Sequence, residues 1–139
     1  MAPATEGLLY VAARAQAVAE LVRPALAGGR PVLADRFSAS TMAYQGYGRG
    51  LDLTVLREVN RLATGGLAPD LTILLDLDPE EAMARLRAGK RRDRLEQETI
   101  AFYTRVREGY LELAGQEGYL VLDATLSPGA IAREILENN

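Results

Sequence analysis

"PDLTILLDLDPEEAMARLRAG", residues 69 to 89, decides the fold class. Leu71 to Leu77 is an apolar run without polar alternation, the pattern of a strand covered on both faces in a parallel sheet. It passes straight into a helix start, with Asp78 as N-cap, Pro79 at the first helical position and Glu81 at the third, which predicts a capping box. A buried strand feeding directly into a helix is the building unit of an α/β fold.

The same alternation recurs on either side. Upstream, residues 6 to 27 carry Leu8, Val11, Ala12, Ala15, Ala19 and Val22 at helical spacing, with Pro24 kinking the last turn and Gly28-Gly29 as a stop. Pro31 to Phe37 is a second short apolar run, predicted to be a strand, and residues 38 to 50 are predicted to be a loop. Asp52 then caps a helix whose Val55, Leu56, Val59, Leu62 and Ala63 form one stripe, ended by Gly65-Gly66. Downstream, a long helix is predicted from about Leu95 to Ala114, with Phe102, Val106, Tyr110 and Leu113 on one side. "YLVLDAT" (119 to 125) predicts a third strand, and Ser127-Pro128 opens a last helix to Leu136. Strands alternating with helices imply a mainly parallel sheet, one domain over residues 1 to 139, and ligands at the carboxyl ends of the strands.

Composition narrows the chemistry. At 139 residues and 48% hydrophobic content the chain can bury a core, and no run approaches the roughly 18 apolar residues of a membrane span. A soluble, cytoplasmic protein with no membrane partner is expected. The absence of Cys and His removes thiolate zinc sites and every nucleophilic system built on imidazole. A net charge of −3 argues against a nucleic-acid partner bound by bulk electrostatics. Of the sixteen cationic side chains all but Lys90 are Arg, which fits a compositional bias and equally fits bidentate phosphate binding.

Asp35-Arg36, Asp76 to Asp78 and Asp123 to Thr125 all fall at predicted strand ends, making three acidic turns along one rim. A single Asp there is usually a cap; three, with Asp35 beside Arg36, point to an anionic ligand and a metal ion. "RLRAGKRRDR" (85 to 94) concentrates five arginines and Lys90 in ten residues. It fits a solvated helix end paired with Asp93, Glu96 and Glu98, and also a loop closing over polyphosphate. No Walker A loop is present. Beside the one Gly-Lys pair, Gly89-Lys90, Ala84 stands at the first glycine position and Arg91 at the Ser/Thr position.

"DRFSASTMAYQGYGRGLD" (35 to 52) resembles the thymidylate kinase signature, in which Asp-Arg-aromatic is followed by Ser, aromatic-Gln-Gly and a Gly-Arg-Gly turn. "EGLLYVAARAQ" (6 to 16), "PDLTILLDLDPE" (69 to 80), "DRLEQE" (93 to 98) and "YLVLDAT" agree with that family in order and spacing. The resemblance implies a P-loop nucleoside-monophosphate-kinase-like parallel sheet with helices on both faces. It also implies that the first two strands and the Walker A loop are missing here, the P-loop strand belonging between 31–37 and 71–77. The implied activity is ATP-dependent phosphorylation of dTMP to dTDP in dTTP synthesis, with Mg2+. A P-loop-bearing N-terminal segment or second chain would complete the catalyst, and a homodimer is a further expectation. A non-catalytic nucleotide-binding remnant and a kinase for another nucleotide are the alternatives.

By position, the resemblance gives Tyr10 the place that stacks on thymine and Arg14 the hydrogen bond to the base, where the residues alone would suit a packed helix face. Arg36 grips the acceptor phosphate, and Asp35 reaches the magnesium through water. Ser40 and Gln45 read the pyrimidine edge, and Tyr44 packs where a 2'-hydroxyl would go. Residues 85 to 95 become the lid, with Arg87, Arg91, Arg92 and Arg94 supplying charge to the transferring phosphoryl group, and Thr125 flanks adenine.

Overall fold

Prolines and glycines set several of the helix boundaries. The computed structural model describes residues 1–88 and 98–138, with the backbone alone for 86–88. The chain divides into two units, Met1–Pro69 and Asp70–Asn139.

The first unit is helical. Helix α1 (Pro3–Ala17) opens with its proline in the first turn, where the missing N–H costs no hydrogen bond. It runs on through a wide π-helical segment, Val18–Val22, into α2 (Arg23–Ala27). The widening lies just ahead of Pro24, whose ring would clash with the carbonyl four residues back in a regular helix. The expected kink is therefore taken up as π turns. The stop at Gly28-Gly29 forms, with Gly29 at φ 70°.

Residues 31–37 are not a strand. Among the described residues no strand pairs with them, Pro31 has no N–H to give, and Leu33 is 98% exposed. Residues 38–50, expected as a loop, are mostly helical: α3 (Ser38–Thr41) continues into a π-helical segment, Met42–Gly48. Gly46 makes this possible, because a Cβ there would overlap Leu53 Cδ2. Asp52 caps α4 (Leu53–Thr64) as expected, its carboxylate accepting from Val55 N at 3.0 Å, and Gly65 ends it at φ 59°. Val11, Val18, Met42, Ala43 and Leu56 form the apolar core of this unit.

The expected stripe of α4 is inward only in part: Leu56 is buried and Val59 and Ala63 are half-buried. Val55 and Leu62 are 59% and 80% exposed, and the buried positions are Leu56, Asn60 and Thr64. Leu8 of α1 is likewise exposed rather than part of the core.

The second unit holds the sheet. Strands β1 (Ile73–Asp76) and β2 (Leu120–Asp123) pair in parallel, with Ile73 opposite Leu120 and Asp76 opposite Asp123. The connection runs through α5 (Pro79–Ala88) and α6 (Ile100–Glu117), and α7 (Pro128–Glu137) follows β2. The Asp78 cap forms, its Oδ1 accepting from Glu80 N at 2.9 Å. The reciprocal half of the capping box does not, since Glu81 pairs with Arg85 at 2.6 Å. Thr99 caps α6, placing its start at Ile100, and Phe102, Val106 and Leu113 are buried as expected. Residues 95 to 97 lie outside the described residues. Ser127 caps α7 through its hydroxyl. No helix among the described residues is long and apolar enough to cross a membrane.

Candidate functional site

Arg14 organises the first unit's polar cluster. Its Nη1 donates to Asn60 Oδ1 on α4, and its Nη2 donates to the Phe37 carbonyl at 3.0 Å and to Thr41 Oγ1 at 2.8 Å. The guanidinium also lies 5.6 Å from the centre of the Phe37 ring. All three hydrogen-bond acceptors are neutral, and among the described residues no carboxylate pairs with this half-buried cation. Burial lowers its pKa from the ordinary arginine value. A partly desolvated positive charge held in place without a counterion is prepared to meet an electron-rich ligand group. Tyr10, one helical turn earlier on α1, leaves 46% of its surface exposed.

Gln45 is 2% exposed and belongs to a buried network in the same unit. Its Nε2 donates to Glu6 Oε1 at 2.9 Å, and Arg49 pairs with the same carboxylate at 3.4 Å. The buried Glu6 is thus held by partners on the π-helical segment and the turn after it. Because a carboxylate accepts, the amide nitrogen of Gln45 must face it, and the remaining polar atom of Gln45 is the acceptor Oε1.

Arg36 has the one positive φ among the non-glycine residues described, 70°. A left-handed arginine costs about 1 kcal/mol or more, and strain of this kind collects at functional positions. The backbone turn carries its guanidinium over Tyr44, 5.1 Å from the ring centre. Asp35 is exposed beside it, and Ser40 is half-buried with its N–H on the Phe37 carbonyl at 3.2 Å. Tyr10, Arg14, Asp35, Arg36, Ser40, Tyr44 and Gln45 therefore all belong to one unit, on α1 and the 35–48 segment.

In the second unit the carboxyl ends of β1 and β2 form an acidic rim of Asp76 and Asp123. Each carboxylate is engaged within its own unit. Arg107 donates to both oxygens of Asp76 at 2.8 Å and to Asp78 Oδ2 at 3.2 Å, and the hydrogen bonds to Asp76 raise the Arg107 pKa. Thr125 donates its hydroxyl and its N–H to Asp123 Oδ1 at 2.7 and 2.8 Å, which lowers the Asp123 pKa, the hydroxyl contributing most. A cavity of about 590 Å³ beside Thr104 and Arg107 is lined by Asp78 of the expected rim and by none of the residues that the family resemblance assigns to the site. Arg91, Arg92 and Arg94 lie outside the described residues, and of Arg87 the backbone alone is described, in α5. No cluster of three metal-ligating side chains occurs among the described residues.

Five contributors escape the sequence: Glu6, the Phe37 carbonyl, Thr41, Arg49 and Asn60. Asn60 alone leaves a trace, a polar residue four positions after the buried Leu56.

A family model described as thymidylate kinase matches residues 1–135. A thymidylate kinase of Desulforudis audaxviator is 58% identical over 133 residues, covering 94% of this chain and 60% of that protein. One from Nitratidesulfovibrio vulgaris is 52% identical over 143 residues, covering 96% and 64%. One from Deinococcus radiodurans is 50% identical over 135 residues, covering 96% and 66%. The chain thus spans less than two thirds of the length of these relatives, and over that span it belongs to the thymidylate kinase family.

Proposed function

We propose that this chain supplies the acceptor-nucleotide part of an ATP-dependent thymidylate kinase, which transfers the γ-phosphoryl group of ATP to dTMP in the cytoplasm. The observation that carries it is the half-buried Arg14, held by three neutral acceptors one turn from the exposed Tyr10. Arg14 has only donors to offer, and Gln45, its nitrogen committed to Glu6, offers an acceptor. Thymine presents the complement, a carbonyl at position 4 and an N–H at position 3. Cytosine presents the reverse and would leave both groups opposed.

Arg36 holds the acceptor phosphate, and the ring of Tyr44 beneath it limits its movement. An acceptor phosphate is already anionic, so transfer needs no strong base, and positioning with charge neutralisation supplies most of the catalysis. That suits a chain without His or Cys. Asp35, an exposed hard oxygen ligand, fits Mg2+ held through water, since this ion commonly takes one or two carboxylates plus phosphates. When bound, the ion neutralises phosphate charge. Arg87, Arg91, Arg92 and Arg94 complete that neutralisation, and Thr125 flanks adenine.

As part of the same proposal, the two units act as one domain within a larger parallel sheet, completed by a P-loop-bearing segment or chain. The exposed Val32 and Leu33 and the half-exposed Leu75 of β1 support it, being apolar side chains that further elements would cover. Val55 and Leu62 offer a surface for a homodimer.

Calorimetric titration of the chain with dTMP and dCMP is the test. Preferential binding of dTMP is expected, with little dTDP formed from ATP, Mg2+ and dTMP until a P-loop-bearing segment is added. Failure to bind dTMP would overturn the proposal.

A further inference from the structure

Asn60 stands at a position where an apolar side chain would serve the core better. It is 6% exposed, between Leu56 and Thr64 on the inner face of α4, while Val55 and Leu62 of the same helix face outward. Its Oδ1 must be the atom facing Arg14, because a guanidinium has nothing but donors. Nδ2 is then left buried with no hydrogen-bond partner among the described residues. An unmade buried donor opposes folding, and so does a half-buried arginine lacking a carboxylate. Two such features in contact, on α1 and α4, mark a position kept for something other than stability.

We propose that Asn60 is a positioning residue that fixes the plane of the Arg14 guanidinium and so sets the choice between keto and amino pyrimidines. This rests on the dTMP proposal above. Of the five N–H donors of an arginine, Arg14 spends three on Asn60, Phe37 and Thr41, which leaves one on Nη1 and one on Nε. With acceptors from α4, α3 and the residue before α3, the guanidinium cannot turn about its Nε–Cζ bond without losing them. The free donors therefore keep one direction. A carbonyl oxygen at position 4 of the base accepts from one of them, and an amino group there is repelled. A neutral amide is the suitable support, since a carboxylate at residue 60 would neutralise the charge that recognises the ligand.

The test uses the full chain and two readouts. The first is the nitrogen-15 NMR spectrum of the Arg14 side chain, with the Nη protons distinct in the wild type and averaged by rotation in Asn60→Ala. The second is the ratio of dCMP to dTMP dissociation constants, expected to fall about tenfold in Asn60→Ala, the loss of one oriented hydrogen bond to a charged group. Asn60→Asp, which keeps an oxygen toward Arg14 but neutralises its charge, should restore the distinct protons without restoring the ratio. Asn60→Ser, with a side chain one atom shorter, serves in place of the alanine variant should that one unfold. Nη protons that stay distinct in the truncated variants, or an unchanged ratio, would overturn the role of Asn60 while dTMP binding stands. A wild-type chain that does not bind dTMP sinks the acceptor-site proposal, and the selectivity role with it, whatever the NMR shows.

Discussion

Arg107 of α6 grips both carboxylate oxygens of Asp76 at 2.8 Å and reaches Asp78 Oδ2 at 3.2 Å with its remaining terminal nitrogen. One planar guanidinium thus ties the end of β1 to the cap of α5, a geometry that the point charge of a lysine cannot copy. The Arg107 side chain is 34% exposed, so solvent screens the pair and reduces its worth. Arg107→Ala is expected to destabilise the chain by about 1 to 2 kcal/mol, and Arg107→Lys to recover less than half of that. Urea denaturation measures both. Equal stability of the alanine variant and the wild type would show that the clasp contributes nothing.

Arg36 separates stability from binding. Its φ of 70° is strained for any side chain and free of strain for glycine. Arg36→Gly should therefore stabilise the fold by up to about 1 kcal/mol, while dTMP affinity drops roughly 100-fold through loss of a charge-assisted phosphate contact. Thermal denaturation and calorimetric titration of the same preparation check the two halves. Retained affinity would remove Arg36 from the phosphate site.

The turn after β2 carries the acid sensitivity. Thr125, through its hydroxyl first and its N–H second, holds the Asp123 carboxylate below the ordinary Asp value of about 3.9. A folded pKa below the unfolded one means that the stabilisation is present above about pH 4 and is lost as pH falls through the folded value. Thr125→Val should raise the Asp123 pKa toward its ordinary value and remove this part of the acid dependence. Carbon-detected NMR titration of the carboxyl reads it directly, and an unmoved Asp123 in the variant would refute the assignment.

Much of the second unit was legible because its signals are local. The unalternated run at 71–77, the caps at Asp78 and Ser127 and the register-bearing "LVLD" need only neighbours in sequence. The first unit was misread where the deciding partner is distant. Residues 31–37 have strand composition, but composition cannot supply a ladder. Met42–Gly48 has the glycines of a loop, and it is helical because Gly46 lets the backbone approach Leu53. At the site, the motif led to Arg14 and Gln45, yet their supports Asn60, Thr41 and Glu6 lie 46, 27 and 39 residues away. Nothing in the periodicity of α4 says that Asn60 and Thr64 turn inward while Val55 and Leu62 face out.

That arrangement of α4 is itself testable. If Leu56 and not Leu62 is the core residue of α4, Leu56→Ala should cost about 2 to 4 kcal/mol, since its side chain is 5% exposed and leaves a cavity. Leu62→Glu, at 80% exposure, should change the stability of a monomeric chain by no more than about 0.5 kcal/mol. Chemical denaturation of the two variants at low protein concentration decides between the faces. A large penalty at Leu62 that grows with protein concentration would mean that the outward stripe is buried between two copies. The same penalty independent of concentration would mean that Leu62 packs within a single chain, as the whole stripe read from the sequence requires.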